Sequence, residues 1–264
     1  MEDFQFHKPS SLAEAVAAVK GASEGKFVSG GQSLIPAMKL DLASFSDLVS
    51  LKGVAEMSGI RAEGDTLIIG ANSTHAEVAA NPTVKSMIPS LAHLADHIGD
   101  PQVRNRGTIG GSIAHADPAA DYPAAIVALN ATIETDRRTI GGDAFFTGFF
   151  ETALAEDEII KAVHFPKPEK AFYSKFPNPA SKYALAGVMV AKMGGGVRVA
   201  VTGAAAQVFR VAAMESALAA NFAPGAIADI KVPTDDLTDE LDASPDYKAH
   251  LINVMARRAV AQAC

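Results

Sequence analysis

The stretch from residue 98 to residue 123 reads IGDPQVRNRGTIGGSIAHADPAADYP, and it decides how the chain is interpreted. Its centre places a Gly-Gly pair, Gly110-Gly111, directly before Ser112. Paired glycines adopt positive φ angles easily and let backbone N–H groups come close to an anion. The pattern therefore predicts either a tight turn or one wall of a phosphate site, within a polar loop from Gly99 to Ser112.

A second loop of the same kind lies earlier, where residues 28–34 read VSGGQSL. One such loop is commonly only a turn, but two of them beside predicted strands or helices favour a shared anion. A pyrophosphate, with two phosphates, suits two loops. The chain has no Gly-x-Gly-x-x-Gly pattern after a strand and no Walker loop, so a dinucleotide would have to be bound by a fold other than Rossmann.

Composition excludes several classes of protein. The chain has 264 residues, which suggests one large domain or two modest ones. Its 23 Lys and Arg against 30 Asp and Glu give a net charge of −7, which argues against a nucleic-acid binder. No stretch approaches the roughly 20 apolar residues of a membrane span. The acidic N-terminus lacks the features of a signal peptide, so we expect a cytoplasmic location.

The chain has one cysteine, Cys264, which is its last residue. An internal disulfide framework and a cysteine-ligated iron–sulfur cluster both need more than one cysteine. Any redox cofactor must therefore be held without thiolates.

Local patterns predict an α+β chain. Ser11 with Glu14, and Thr74 with Glu77, are capping-box patterns that open helices. Residues 84–95 have the periodicity of one helix, and two apolar runs around Gly194-Gly195-Gly196 predict a β-hairpin. The Pro-rich, charged segment 166–170 predicts a domain boundary near residue 168.

Histidines in two places raise the question of a metal site. His93 and His97 stand four residues apart on a predicted helix, but Leu94 occupies the position where a metalloprotease has Glu. A solvated helix face is the simpler interpretation, and we predict no metal site. His115, together with Asp117 and Asp121, suits a hydrogen bond to a ribose better than a metal.

Other polar residues leave alternatives open. Arg104 and Arg106 flank the second loop, where they would either neutralise phosphate or be ordinary surface charges. No serine stands in a Gly-x-Ser-x-Gly context, so a nucleophile elbow is unsupported. We assign no catalytic residue.

Four stretches together resemble one flavoprotein family: residues 4–15, 29–40, 98–123 and 244–259. The chain resembles the FAD-binding medium subunit of molybdenum hydroxylases, the xanthine dehydrogenase family. It is most similar to the carbon monoxide dehydrogenase medium subunit group, over nearly the whole chain.

The resemblance implies an α+β fold with an FAD-binding domain of the vanillyl-alcohol-oxidase type (PCMH-type) at residues 1–168. This domain would have subdomains at about 1–56 and 57–168. A C-terminal α+β domain, like that of carbon monoxide dehydrogenase flavoproteins, would occupy residues 169–264.

The resemblance also implies which residues bind FAD. The two glycine loops would hold the pyrophosphate and Asp121 would contact the cofactor, while Ile98 and Ile160 would lie beside it. Lys175 matches a lysine of the xanthine dehydrogenase branch, and Tyr183 matches a position near the isoalloxazine in the carbon monoxide dehydrogenase branch. The full set is Val28, Ser29, Gly30, Gly31, Gln32, Ser33, Leu34, Ile98, Thr108, Ile109, Gly110, Gly111, Ser112, Asp121, Ile160, Lys175 and Tyr183.

The implied activity is electron transfer within an oxidoreductase. A large molybdopterin subunit and a small [2Fe–2S] subunit would be partners, in a dimer of heterotrimers (a heterohexamer), and FAD would pass electrons to an external acceptor. Two alternatives stay open: a standalone FAD-dependent oxidoreductase of the same fold, and a non-catalytic module whose loops bind another nucleotide or merely turn.

Overall fold

The fold is described from a computed structural model of the chain. The structure describes residues 2–263; Met1 and Cys264, the one cysteine, lie outside the described residues. The helices are α1 (Leu12–Gly21), α2 (Leu34–Lys39), α3 (His75–Ala80), α4 (Pro82–Met87), α5 (Pro89–Asp96), α6 (Pro101–Arg104), α7 (Ile109–His115), α8 (Tyr122–Ala128), α9 (Ala212–Ala220) and α10 (Pro245–Gln262). The strands are β1 (Gln5–His7), β2 (Gly25–Val28), β3 (Asp47–Ser50), β4 (Ile60–Glu63), β5 (Thr66–Gly70), β6 (Thr132–Thr135), β7 (Thr139–Gly141), β8 (Phe146–Gly148), β9 (Glu151–Thr152), β10 (Ile160–Pro166), β11 (Lys170–Pro177), β12 (Ala184–Met193), β13 (Gly196–Thr202) and β14 (Phe209–Arg210).

Three sheets follow one another along the chain. The first is parallel with the order β1-β3-β2, and the second is antiparallel with the order β4-β5-β10-β6-β7. The third has the order β11-β12-β13-β14, and β8 pairs with β9 in a separate hairpin. The predicted boundary near residue 168 falls between β10 and β11, which belong to different sheets. The division into domains remains a prediction.

The third sheet is buried on both faces. Met189 and Ala191 of β12 join the large core beneath the helices of the first 168 residues, whereas Val188 and Val190 join a second core with α9 and α10. Successive side chains of a strand point to opposite faces. The third sheet is therefore the middle layer between the first part of the chain and the C-terminal helices.

The Gly-Gly-Gly hairpin and one capping box are confirmed. β12 and β13 pair antiparallel up to Met193 opposite Gly196. Thr74 accepts from the Glu77 N–H, and the Glu77 carboxylate accepts from the Thr74 N–H. At α1, Ser11 caps the helix, but the Glu14 carboxylate accepts from Ser10 instead.

Two predicted elements are wrong in detail. The stretch 84–95 is two helices, because the chain breaks at Ile88 before Pro89, and a residue before proline disfavours helical angles. The expected polar loop from Gly99 to Ser112 contains α6 and the first half of α7. Asp100 caps α6 through the Val103 N–H. Thr108 caps α7 through the Gly111 N–H, and this capping offsets the low helix propensity of the two glycines in α7.

Candidate functional site: two glycine loops and a buried carboxylate

The two glycine loops meet in space. Ser29 Oγ lies 3.0 Å from Thr108 Oγ1, across 79 residues of sequence. A Cβ added to Gly30 would overlap the Arg106 carbonyl oxygen and lie 2.7 Å from the Gly107 Cα. We call these five residues, Ser29, Gly30, Arg106, Gly107 and Thr108, the loop junction. Because no side chain fits at position 30, the glycine is what lets the two backbones touch.

The first loop offers backbone donors. Outside regular helices and strands, none of the N–H groups of residues 30–33 donates to a backbone carbonyl of residues 2–263. Gly31 has a φ of 73°, the left-handed region that favours glycine. Val28 is buried at the end of β2, and Gln32 is exposed. Ser33 precedes α2 without a side-chain capping hydrogen bond, and Leu34 is the first residue of that helix. Free N–H groups on a turn of this kind fit a phosphate.

The second loop is built differently from what the glycine pattern predicts. The N–H of Ile109 donates to the Ser73 carbonyl and that of Gly110 to the Ala71 carbonyl, and both residues are buried. A Cβ on Gly110 would lie 2.8 Å from the Ala71 oxygen, so this glycine serves close packing. Gly111 is exposed and Ser112 is half-buried on the open side of α7. The contacts of residues 108–112 with FAD remain a prediction.

A cavity of about 400 Å³ opens beside the loop junction. Ser29, Gly30 and Thr108 line it, together with two cations, Lys52 and Arg106. Neither cation forms an ion pair within residues 2–263. Glu77 also lines the cavity, but its carboxylate accepts hydrogen bonds from the Thr74 N–H and hydroxyl, so the two cations without ion pairs favour an anionic ligand.

The two arginines that flank the second loop have different roles. Arg104 donates to the carbonyls of Ile98 and Gly99 and lies 3.7 Å from an Asp96 carboxylate oxygen, so it braces the turn before α6. Arg106 lines the cavity. Arg106 is exposed, and a role in neutralising phosphate remains a prediction for it.

Asp121 is held in a buried polar cluster. Its side chain is 4% exposed, its Oδ1 accepts from the Tyr173 hydroxyl at 2.6 Å, and Lys175 Nζ lies 2.9 Å from Oδ1 and 3.0 Å from Oδ2. Lys175 Nζ also donates to the His97 carbonyl. Burial raises the pKa of Asp121, whereas the charge of Lys175 and the Tyr173 hydrogen bond act to lower that pKa. We call Asp121, Tyr173, Lys175 and the His97 carbonyl the Asp121 cluster.

The remaining residues predicted to bind FAD differ in how exposed they are and in where they lie relative to the Asp121 cluster. Tyr183 is 46% exposed, and its pKa is raised by partial burial and by the nearby Asp117 and Asp121 carboxylates. Ile98 is half-buried next to His97, whose carbonyl belongs to the Asp121 cluster. Ile160 is 4% exposed at the start of β10, inside the large core.

His75, which no sequence pattern singles out, lies between the loop junction and Tyr122, the neighbour of Asp121 in the chain. The backbone N–H of His75 donates to the Gly107 carbonyl, and a Cβ on Gly107 would lie 2.6 Å from the Nε2 atom of the His75 ring. Its ring lies 5.4 Å from that of Tyr122, the residue after Asp121. Burial, helped by the charge of Arg104, lowers the pKa of His75 to about 4. A neutral imidazole therefore packs behind the second loop.

The other histidines that the sequence analysis considers contact neighbouring rings. The His93 and His97 rings lie 4.1 Å apart, and His93 is half-buried against Phe172 rather than solvated. The His115 ring lies 5.0 Å from that of Phe150. Within residues 2–263, no three His, Cys, Asp or Glu side chains are grouped so as to hold a metal ion. In the same part of the chain, no helix has both the length and the apolar surface needed to cross a membrane.

Comparisons with known proteins agree on one family. Residues 2–168 match the model of the FAD-binding domain in molybdopterin dehydrogenase. The chain is 35% identical to the carbon monoxide dehydrogenase medium chain of Hydrogenophaga pseudoflava, with 97% of this chain and 96% of that relative covered. It is 33% identical to the nicotine 6-hydroxylase medium subunit of Paenarthrobacter nicotinovorans, with 98% and 96% covered.

A solved structure shares the fold over its whole length. Reconstituted CO dehydrogenase from Oligotropha carboxidovorans superposes with a TM-score of 0.90 at 28% identity, covering 99% of this chain and 97% of that one.

Proposed function

This chain belongs to the family of FAD-binding subunits of molybdenum hydroxylases, and from that premise we propose which residues hold FAD and how the subunit works. The chain is an oxidoreductase subunit, and its cofactor is FAD. The similar proteins are named as medium chains or medium subunits. We therefore propose a large molybdopterin-binding partner and a small [2Fe–2S] partner, assembled as a dimer of heterotrimers. A cytoplasmic location remains a prediction.

The loop junction is the observation that carries this proposal. Two glycine loops that are far apart in sequence form one surface, with free N–H groups on one side and the Lys52 and Arg106 cations beside it. FAD carries a pyrophosphate with two negative charges, which this surface can neutralise. In our proposal residues 28–34 and 108–112 hold the pyrophosphate, and Ile98, Asp121, Ile160, Lys175 and Tyr183 lie along the rest of the cofactor.

The protein's own residues bind and orient the cofactor rather than perform acid–base chemistry. FAD, when bound, supplies a redox centre between iron–sulfur clusters on a partner and an external acceptor. The Asp121 cluster supplies a fixed carboxylate and a fixed ammonium group, and the loop junction supplies anion-binding amides. We assign no nucleophile and no general acid or base.

The test measures flavin in the purified protein. The chain would be produced alone and together with its two partner subunits, reconstituted with FAD, dialysed, and assayed for bound flavin by absorbance and for co-purification. We expect about one FAD per chain when the partners are present. A colourless preparation in both cases would contradict the proposal, and substrate turnover by the isolated chain would support the standalone oxidoreductase instead.

A matched pair of variants separates FAD binding from a mere turn. Gly111→Val places a branched side chain on the open side of α7, where a Cβ would lie 3.0 Å from Thr108 Oγ1. Gly21→Val is the control, since a Cβ there meets no atom within 4 Å. We expect Gly111→Val to lose flavin and Gly21→Val to keep it. Equal flavin content in the two variants would favour loops that only turn.

A further inference from the structure

Tyr173 is not among the residues predicted to bind FAD, yet it has a buried side chain with one specific polar contact. It lies on β11, is 1% exposed, and belongs to the large core. Its hydroxyl donates to Asp121 Oδ1 at 2.6 Å. A buried hydroxyl that donates to a carboxylate forms one of the stronger hydrogen bonds in a protein, because the acceptor is charged.

Space for that hydroxyl exists because residue 187 is glycine. A Cβ on Gly187 would overlap the Tyr173 hydroxyl oxygen and lie 2.9 Å from Tyr173 Cζ and from Thr202 Cγ2. Gly187 sits inside β12, directly opposite Lys175 of β11. Glycine in a strand interior weakens the strand and marks a close approach. The group that lies close to Gly187 is the Tyr173 hydroxyl, which donates to Asp121.

Tyr173 and Lys175 hold the same carboxylate from the same face of one strand. They stand two residues apart on β11, so their side chains point the same way. Lys175 Nζ reaches both carboxylate oxygens, and Tyr173 reaches Oδ1. Without such partners a buried carboxylate would be costly and would become neutral.

We propose that Tyr173 is a positioning residue for FAD: its hydroxyl fixes the Asp121 carboxylate, and with it the Lys175 ammonium, in the orientation that the cofactor meets. This inference rests on the proposed FAD-binding function. Tyr173 itself is buried behind Asp121 and acts through it.

The main test compares two buried tyrosines in the full chain. Tyr173→Phe removes the hydroxyl that donates to Asp121. Tyr122→Phe is the matched control, because Tyr122 is fully buried and its hydroxyl has no partner within residues 2–263. We expect Tyr173→Phe to raise the Kd for FAD about tenfold, which corresponds to one hydrogen bond to a charged group, and Tyr122→Phe to leave it within about twofold.

A double-mutant cycle tests whether Tyr173 acts through Asp121. In an Asp121→Ala background, which has no acceptor for the Tyr173 hydroxyl, the added effect of Tyr173→Phe on FAD affinity should vanish, whereas a general packing defect would add to it. Thermal unfolding of each apo variant checks that it folds.

The pH dependence of FAD affinity gives a second readout, which remains usable if Asp121→Ala does not fold. The titratable groups that face Asp121 are Lys175, Tyr173, His97, Tyr122 and Tyr183. Because the Tyr173 hydrogen bond lowers the pKa of Asp121, its loss should move the acidic fall in FAD affinity to higher pH in Tyr173→Phe and not in Tyr122→Phe.

The outcomes are distinguishable. If the unmodified chain, alone and with its partners, binds no FAD, the proposed function fails. If it binds FAD but Tyr173→Phe matches Tyr122→Phe in affinity and in pH profile, or if the cycle is additive, only the role of Tyr173 is overturned.

Discussion

Substituting Gly30 by alanine should separate the two glycine loops. The new Cβ would overlap the Arg106 carbonyl oxygen and lie 2.7 Å from the Gly107 Cα, well inside the 3.4 Å at which ordinary contact begins. Both neighbours are backbone atoms, so neither can rotate away as a side chain could. The loops must therefore move apart, which also strains the contact between Ser29 Oγ and Thr108 Oγ1.

The size of the effect follows from this geometry. One extra methyl group in a well-packed site costs about 1–3 kcal/mol. For a chain of this length each kcal/mol lowers the Tm by roughly 2–4 °C, so we expect a fall of about 2–12 °C in the apo protein. Loss of one aligned loop surface should weaken FAD binding about tenfold or more, since 1.4 kcal/mol corresponds to a factor of about ten.

The assay combines thermal unfolding with an FAD titration followed by flavin fluorescence. The chain contains no tryptophan, so the flavin signal is not complicated by indole emission. Gly21→Ala is the control, because a Cβ at that position meets no atom within 4 Å. If Gly30→Ala kept the Tm and the FAD affinity of Gly21→Ala, the close approach of the two loops would not be what builds the site.

Two further predictions concern stability. Lys248 is fully buried on α10 and ion-paired to Glu240, so Lys248→Met should lower the free energy of unfolding by about 2 kcal/mol in urea titrations. Lys231 is exposed, so Lys231→Met is the control and should leave the free energy of unfolding unchanged. An unchanged urea midpoint for Lys248→Met would contradict this prediction. Burial lowers the pKa of His75 from 6.5 to about 4, so the folded state binds fewer protons than the unfolded chain between these values, and stability should fall as pH drops from 6.5 to 4, by at most about 1.4 kcal/mol per pH unit. His75→Gln should flatten that slope, exposed His250→Gln should not, and equal slopes in both variants would refute the assignment.

Much of the local structure could be predicted from the sequence, because it depends on neighbouring residues. The Thr74–Glu77 capping box and the hairpin around Gly194–Gly196 each involve groups close along the chain. The periodicity of residues 84–95 does not predict the break at Ile88, although Pro89 is present in the sequence. The second glycine stretch is helical from Ile109 rather than a loop, because Thr108 caps α7 and Ala71 packs against Gly110, and packing overrides propensity.

The candidate site also has features that the sequence predicts and features that it does not. The residue types that suggest a pyrophosphate, two Gly-Gly pairs with nearby hydroxyl groups, can be read in the chain without coordinates. Which of those glycines is exposed cannot be read in the same way. Gly110 and Gly111 are adjacent in sequence, yet Gly110 is buried against Ala71 and Gly111 is exposed.

The sequence by itself determined the family, the cofactor class and the lack of enough cysteines for a disulfide framework or a cysteine-ligated cluster, because these follow from which residues are present and in what order. Only the tertiary structure decided which partners meet. Ser29 contacts Thr108, which is 79 residues away in sequence, and Asp121 accepts a hydrogen bond from Tyr173, which is 52 residues away. Contacts of this length depend on how three sheets and their helices stack, and that stacking reflects burial summed over the whole core rather than any local pattern.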